Sequence, residues 1–327
     1  MKNFRTQLVI AVALVLFPVL MIYYNGKKAV DGILSEPDNK RTEVAEKVEQ
    51  KEPPNKKIEF GIFDPSGSMQ SSQVMQTEVY YFSWIDFNSD SLLWNMRRMK
   101  STGRNPILIV EPWAKSNLPL FDEIINKKYD TEISRIASVI SFFNDTVFIS
   151  WGHEMDQDLT VRYPWSGKDA NRYIAAYRYC HQFIDSLSGK AKWIWAPVGK
   201  EGCLKYYPGE KFVDEIGLPV YSFPEWEMSY YGFIKSFEEN FGEKYSRMRD
   251  LGKPITILEF GVTGSNDFKQ FWLRSAFISF AKYPLLNRVV FFKSKETDGV
   301  WGKNISTPNW DLSSEVIDGF VKWHLGL

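Results

Sequence analysis

The run Val147-Phe148-Ile149-Ser150-Trp151-Gly152-His153-Glu154-Met155-Asp156 decides how the rest of the chain is read. It starts as a β-branched and aromatic stretch, the pattern of a buried strand. It ends in a glycine, a histidine and two acids, which an apolar interior does not accept. A carboxylate at the mouth of a buried strand must be paired, hydrated or used, because an unpaired buried charge is very costly. A second run of the same design, Pro254-Ile255-Thr256-Ile257-Leu258-Glu259-Phe260-Gly261, comes later in the chain. Two glutamates that each close an apolar strand supply what glycoside cleavage needs, a proton donor and a nucleophile or base.

Outward from these two runs, strand and helix patterns alternate. Further strands are expected at Glu59–Asp64, Val79–Asp86, Pro106–Trp113, Lys192–Pro197, Leu218–Ser222 and Arg288–Lys293. Helices are expected at Ser91–Lys100, at Thr131–Phe143 behind an Asp130 cap, and from an Asp169 cap to Leu187. Others fall near Lys211–Ile216, within Ser229–Leu251, and at Phe268–Lys282 and Leu312–His324. Eight strand–helix units over residues 58–327 match a (β/α)8 TIM barrel, an α/β fold built on a parallel sheet. In that architecture active-site groups sit at the carboxyl ends of the strands. The residues closing these runs are Asp64, Asp86, Glu111, Glu154, Tyr221, Glu259 and Glu296. Polar groups therefore gather at one rim, where an ordinary structural pattern would put acids at both ends.

Composition narrows the partner. Acids and bases balance at 40 each, which removes the case for a nucleic acid. No phosphate loop or dinucleotide fingerprint appears, so no nucleotide or other cofactor is implied, and three scattered histidines fall short of a metal-ligand set. Phe, Trp and Tyr make up 16 % of the chain, and flat rings with a polar edge stack well on sugars as well as filling cores. Cys180 and Cys203 are the only cysteines, and their spacing does not say whether they pair.

Residues 1–28 read as a signal anchor. Lys2 and Arg5 precede an apolar run from Leu8 to Tyr24, long enough to span a bilayer, and no small-residue cleavage site follows it. The expectation is a single pass through the cytoplasmic membrane with the body on the periplasmic or extracellular side, or a secreted body if the segment is cleaved. Residues 29–57, rich in Glu, Lys, Asp, Asn and Pro, read as a flexible charged linker.

The motifs resemble those of glycoside hydrolase family 26, the β-mannanase-like family of the retaining (β/α)8 clan. Trp151-Gly152-His153-Glu154-Met155-Asp156 resembles the family's acid/base motif at the end of strand four, and Leu258-Glu259-Phe260-Gly261 its nucleophile motif on strand seven. Trp195-Ala196-Pro197 and Tyr206-Tyr207-Pro208-Gly209-Glu210 resemble the family's stretch before strand six. The chain departs from the family at Ser150, where arginine is common, at Asp156-Gln157 in place of Asn-Gly, and at Trp301-Gly302-Lys303 in place of Trp-Arg.

The resemblance implies a retaining endo-β-glycanase with Glu154 as acid/base and Glu259 as nucleophile, their carboxyls about 5–5.5 Å apart. It implies that Tyr221 hydrogen-bonds the nucleophile and that His153 holds a substrate hydroxyl or orients Glu259. Trp165 and Trp301 are candidate sugar platforms, and Trp84, Asp86, Glu111 and Trp113 fall where more distant sugar units would lie. Candidate substrates are β-mannan, a β-glucan or a secreted exopolysaccharide. The alternative is a non-catalytic carbohydrate-binding or polysaccharide-assembly protein on the same barrel.

Overall fold

Every apolar run read as a strand forms one, and the eight lie side by side in chain order until the last closes on the first. The computed structural model describes residues 57–157, 163–189, 191–302 and 304–327. The expected membrane segment and nearly all of the expected linker lie outside the described residues. No helix among the described residues is long and apolar enough to cross a membrane. The barrel body takes in the described chain up to Ser229 and from Phe233 to Leu327.

The strands are β1 (Glu59–Phe63), β2 (Thr77–Ser83), β3 (Asn105–Glu111), β4 (Val147–Trp151), β5 (Ala191–Trp195), β6 (Glu215–Ser222), β7 (Ile255–Val262) and β8 (Leu286–Phe292). All neighbouring pairs are parallel. Because side chains alternate across a strand, each strand feeds two cores. Val79, Ile107, Ile109, Phe148, Ile194, Leu258 and Val290 fill the inside of the barrel. Their neighbours Leu108, Ile149, Trp151, Trp193, Val220, Ile257 and Phe291 face the helices. Most of the aromatic excess goes to burial: Trp84, Trp151, Trp165, Trp193, Trp195 and Trp310 are all fully buried. Trp151, for example, meets Tyr173, Tyr177 and Phe121, and truncating such a residue costs about 3–5 kcal/mol.

The helices are α1 (Ser89–Ser101), α2 (Leu120–Ile125), α3 (Asp130–Phe143), α4 (Ala170–Ser188), α5 (Pro224–Tyr231), α6 (Phe237–Met248), α7 (Asn266–Ser279) and α8 (Ser314–Leu325). Asp169 caps α4 through the backbone N–H of Arg172, and Gly189 ends it in the left-handed conformation, as the sequence implied. The helix expected within Ser229–Leu251 is present as α6, opened by a Ser236–Glu239 capping box and followed by a 3-10 turn to Leu251, whereas α5 before it was not expected. Three expectations are corrected. Asp130 does not cap α3: it is the first helical residue, and its carboxylate instead accepts from Tyr179 on α4. Residues Lys211–Ile216 hold the end of a 3-10 turn and the first residues of β6, not a helix. Finally, β1 reaches β2 through turns and β5 reaches β6 through 3-10 turns, so two of the seven strand-to-strand connections lack an α-helix. Cys180, in α4, and Cys203, in the β5–β6 connection, are both buried free thiols.

Candidate active site

Glu259 owes its aim to an irregularity in the backbone. Along the β6–β7 pair, Leu218 stands opposite Ile257 but Pro219 stands opposite Glu259, so Leu258 is one residue too many. Such a bulge re-aims side chains. Ile257 and Phe260 face the helices, whereas Leu258 packs inside the barrel and Glu259 follows it to the mouth. There both carboxylate oxygens accept phenol hydrogens. Tyr81 on β2 donates to Oε1 at 2.7 Å and Tyr221 on β6 donates to Oε2 at 2.8 Å. Burial, and then the charge of Glu259, pushes both phenols well above their ordinary range, so both remain donors at any physiological pH.

Glu154 is placed by strain. After β4 the chain turns sharply through Gly152 (φ +59°) and Glu154 (φ +55°), a left-handed conformation that costs a non-glycine residue on the order of 1 kcal/mol. Neighbours hold it there. The Glu154 N–H donates to the Ala196 carbonyl at 2.7 Å, and its own carbonyl accepts from Ser166 at 2.8 Å. The Trp165 indole N–H donates to the His153 carbonyl at 2.6 Å. The Glu154 side chain accepts from the Gln157 amide at 2.7 Å. Backbone strain held this firmly is characteristic of functional sites.

The two glutamates line one small cavity with His153, Ala196, Gly217, Pro219 and Leu258. Gly217 leaves the space: a Cβ there would lie 2.9 Å from the side chains of both Ile194 and Leu258. His153 is buried, its ring edge-on to Tyr81 and Tyr163. Trp301 is half-buried between Tyr221, Phe223 and Trp226. Trp113 is half-buried too, and its indole N–H donates to the Glu111 carboxylate at 3.0 Å. Asp86 is exposed in the turn after β2.

One candidate platform, Trp165, and one residue expected near more distant sugar units, Trp84, are corrected. Trp165 is sealed under Tyr163, ring on ring at 4.5 Å, and Trp84 is stacked on Tyr129 at 4.8 Å. Neither exposes a face to a sugar. Tyr81 and Ser166 were not singled out from sequence, and Gln157 only as a departure from the family pattern. The signal for Tyr81 was there, because counting in twos from Val79 puts it inside the barrel one pleat below the rim. No group of acids, histidines and cysteines among the described residues is arranged to hold a metal ion.

No family model matches the chain. Endoglucanase H of Acetivibrio thermocellus is 27% identical over 239 residues, covering 69% of this chain. The match takes in 25% of that protein, so this chain spans only a part of its relative's length. Among solved structures, a family 26 β-mannanase from Bacteroides ovatus superposes with a TM-score of 0.57 at 15% identity, covering 82% of this chain and 88% of that one. An exo-β-1,4-mannosidase from an Opitutaceae bacterium gives a TM-score of 0.58 at 14% identity, covering 81% and 55%. The family resemblance seen in the motifs thus extends to the fold, a barrel of the kind these glycoside hydrolases use.

Proposed function

We propose that this chain is a retaining glycoside hydrolase that cleaves a β-linked polysaccharide by double displacement. The observation that carries the reading is the shared cavity: Glu154 and Glu259 line it together, and the Glu259 carboxylate is gripped by two phenols. Glu154, protonated, gives its proton to the leaving glycosidic oxygen as Glu259 attacks the anomeric carbon and the glycosidic C–O bond breaks. In the second step Glu154, now a carboxylate, takes a proton from water, the water oxygen attacks the anomeric carbon, and Glu259 leaves as a carboxylate. Two phenol donors favour the ionised, acceptor-only nucleophile at the start, and they receive it back at the end.

The names borne by the similar proteins, endoglucanase and β-mannanase, support a β-glucan or β-mannan as substrate. Trp301 and Trp113, each with part of its ring open, are the sugar platforms on this reading. The N-terminal apolar run and the charged linker support a body tethered outside the cytoplasmic membrane, with a secreted exopolysaccharide as a third candidate substrate.

Reducing-end release from β-mannan, mixed-linkage β-glucan and a native exopolysaccharide tests the reading. Glu259→Ala is expected to lose activity on the order of 10⁴-fold, the scale for removal of a nucleophile. Glu154→Ala is expected to yield β-glycosyl azide when azide is added. A Glu259→Ala enzyme as active as wild type overturns the assignment.

A further inference from the structure

The wall behind the two glutamates is completed from outside the barrel. β5 and β6 pair at only two positions, Ile194 with Glu215 and Trp195 with Ile216, while β6 and β7 stay paired as far as Ser222 and Val262. The chain therefore peels away after Trp195, and α6 reaches into the opening. Lys244 Nζ donates to the Pro219 carbonyl at 2.6 Å, and Arg247, one turn on, donates to the Gly199 carbonyl at 2.9 Å. Pro219 is the β6 residue that stands beside Glu259, and it lines the cavity. Gly199 closes on the lysine stem: a Cβ there would lie 3.2 Å from Lys244 Cγ. The Gly199 N–H in turn donates to Asp156 Oδ2 at 3.0 Å, joined by the N–H groups of Val198 and Lys200 at 2.7 and 3.1 Å. Asp156 is buried and lies two residues beyond Glu154. One helix face thus touches the strand beside Glu259 directly and, through the backbone at Gly199, is linked to Asp156 in the loop that carries Glu154.

We infer that Lys244 is a positioning residue of the two-glutamate site, its ammonium held behind the cavity wall to set the charge state in which Glu154 and Glu259 work. Burial disfavours the ammonium and brings its pKa down to about 8, against the opposing pull of Asp156, Glu154 and Glu259, in that order. Lys235, just before α6, pushes it down further. The lysine is therefore charged at neutral pH, its ammonium donating to the Pro219 carbonyl. Coulomb interaction is mutual, so an ammonium stabilised by the two glutamates stabilises their ionised forms in return. This inference rests on the proposed double displacement only for its effect on rate.

Lys244→Met keeps an unbranched apolar stem as far as Cε and removes the ammonium. The titrations of Glu154 and Glu259 are read by NMR in protein labelled with ¹³C at the glutamate carboxyl carbon, and assigned with Glu154→Gln and Glu259→Gln. In Lys244→Met both are expected to move up by roughly 0.5–1 pH unit. Lys244→Arg is expected to keep them near wild type. Both limbs of the kcat/KM profile are expected to follow to higher pH. The stability readout has its own sign. The folded lysine gives up its proton near pH 8 and the unfolded one near 10.5, so the unfolded chain binds more protons in that window. Wild-type stability should accordingly rise across it, and Lys244→Met should lack the rise. Glutamate titrations unchanged in a Lys244→Met protein of lower Tm make the lysine merely structural and overturn the inference. Titrations that move in a protein that cleaves no glycan uphold it and count against the hydrolase reading instead.

Discussion

The two ends of the barrel use the same side chain in opposite ways. At the amino-terminal end Glu59 and Glu215 meet Arg288, which is 3% exposed and whose guanidinium donates to Glu59 at 2.9 Å and to Glu215 at 2.7 Å. Thr256 adds a hydroxyl to Glu215 at 2.8 Å, and the guanidinium lies over the Phe148 ring at 4.2 Å. At the carboxyl-terminal end Glu259 is held by phenols and Glu154 by an amide. A carboxylate locked to a guanidinium is committed to one charge state, whereas one held by neutral donors keeps its acid–base chemistry accessible. A carboxylate's partner therefore says more about its task than its burial does.

Swapping the damage between the two ends is the sharpest way to break this contrast. Beside the loss of turnover expected of Glu259→Ala, its Tm should stay close to wild type. Arg288→Met should do the reverse. It leaves the buried Glu215 carboxylate without its guanidinium and is expected to cost about 3–5 kcal/mol in denaturant unfolding, with kcat per folded molecule intact. Were Arg288→Met to abolish turnover in folded protein, the division of labour would be wrong.

A finer cut removes one phenol. Tyr81→Phe deletes the donor to Glu259 Oε1 and is expected to lower kcat/KM about 10–100-fold, the worth of a hydrogen bond to a charged group. Tm should change little. The smallest effect is expected from Gly152→Ala. The nearest side-chain atom would lie 3.5 Å from the new Cβ, so space is not the obstacle, but the φ of +59° is. About 1–2 kcal/mol of stability should be lost, measured as a shift in the denaturant midpoint.

Much of this was legible in the chain itself. The strands follow from β-branched and aromatic runs, the caps of α4 from Asp169 and Gly189, and the rim from the acids that close β4 and β7. What escaped was set by tertiary geometry. Nothing in Ile257-Leu258-Glu259 marks the extra residue that swings Glu259 into the mouth, because a bulge is defined by the partner strand. Tyr81 looked like one more core aromatic, since its phenol finds Glu259 only once the barrel closes. Trp84 and Trp165 looked like sugar contacts because a tryptophan near a rim serves a core and a sugar equally well on paper. Lys244 gave no signal at all, as a lysine in an amphipathic helix ordinarily faces water.

The two thiols carry a practical consequence. Both are buried, and burial raises them well above the usual thiol range, Cys203 to about 11. Neither offers a thiolate to an oxidant or to another chain. The barrel can thus be made in a reducing host or passed through an oxidising one without a folding catalyst for disulfides, and its covalent structure will be the same from either route.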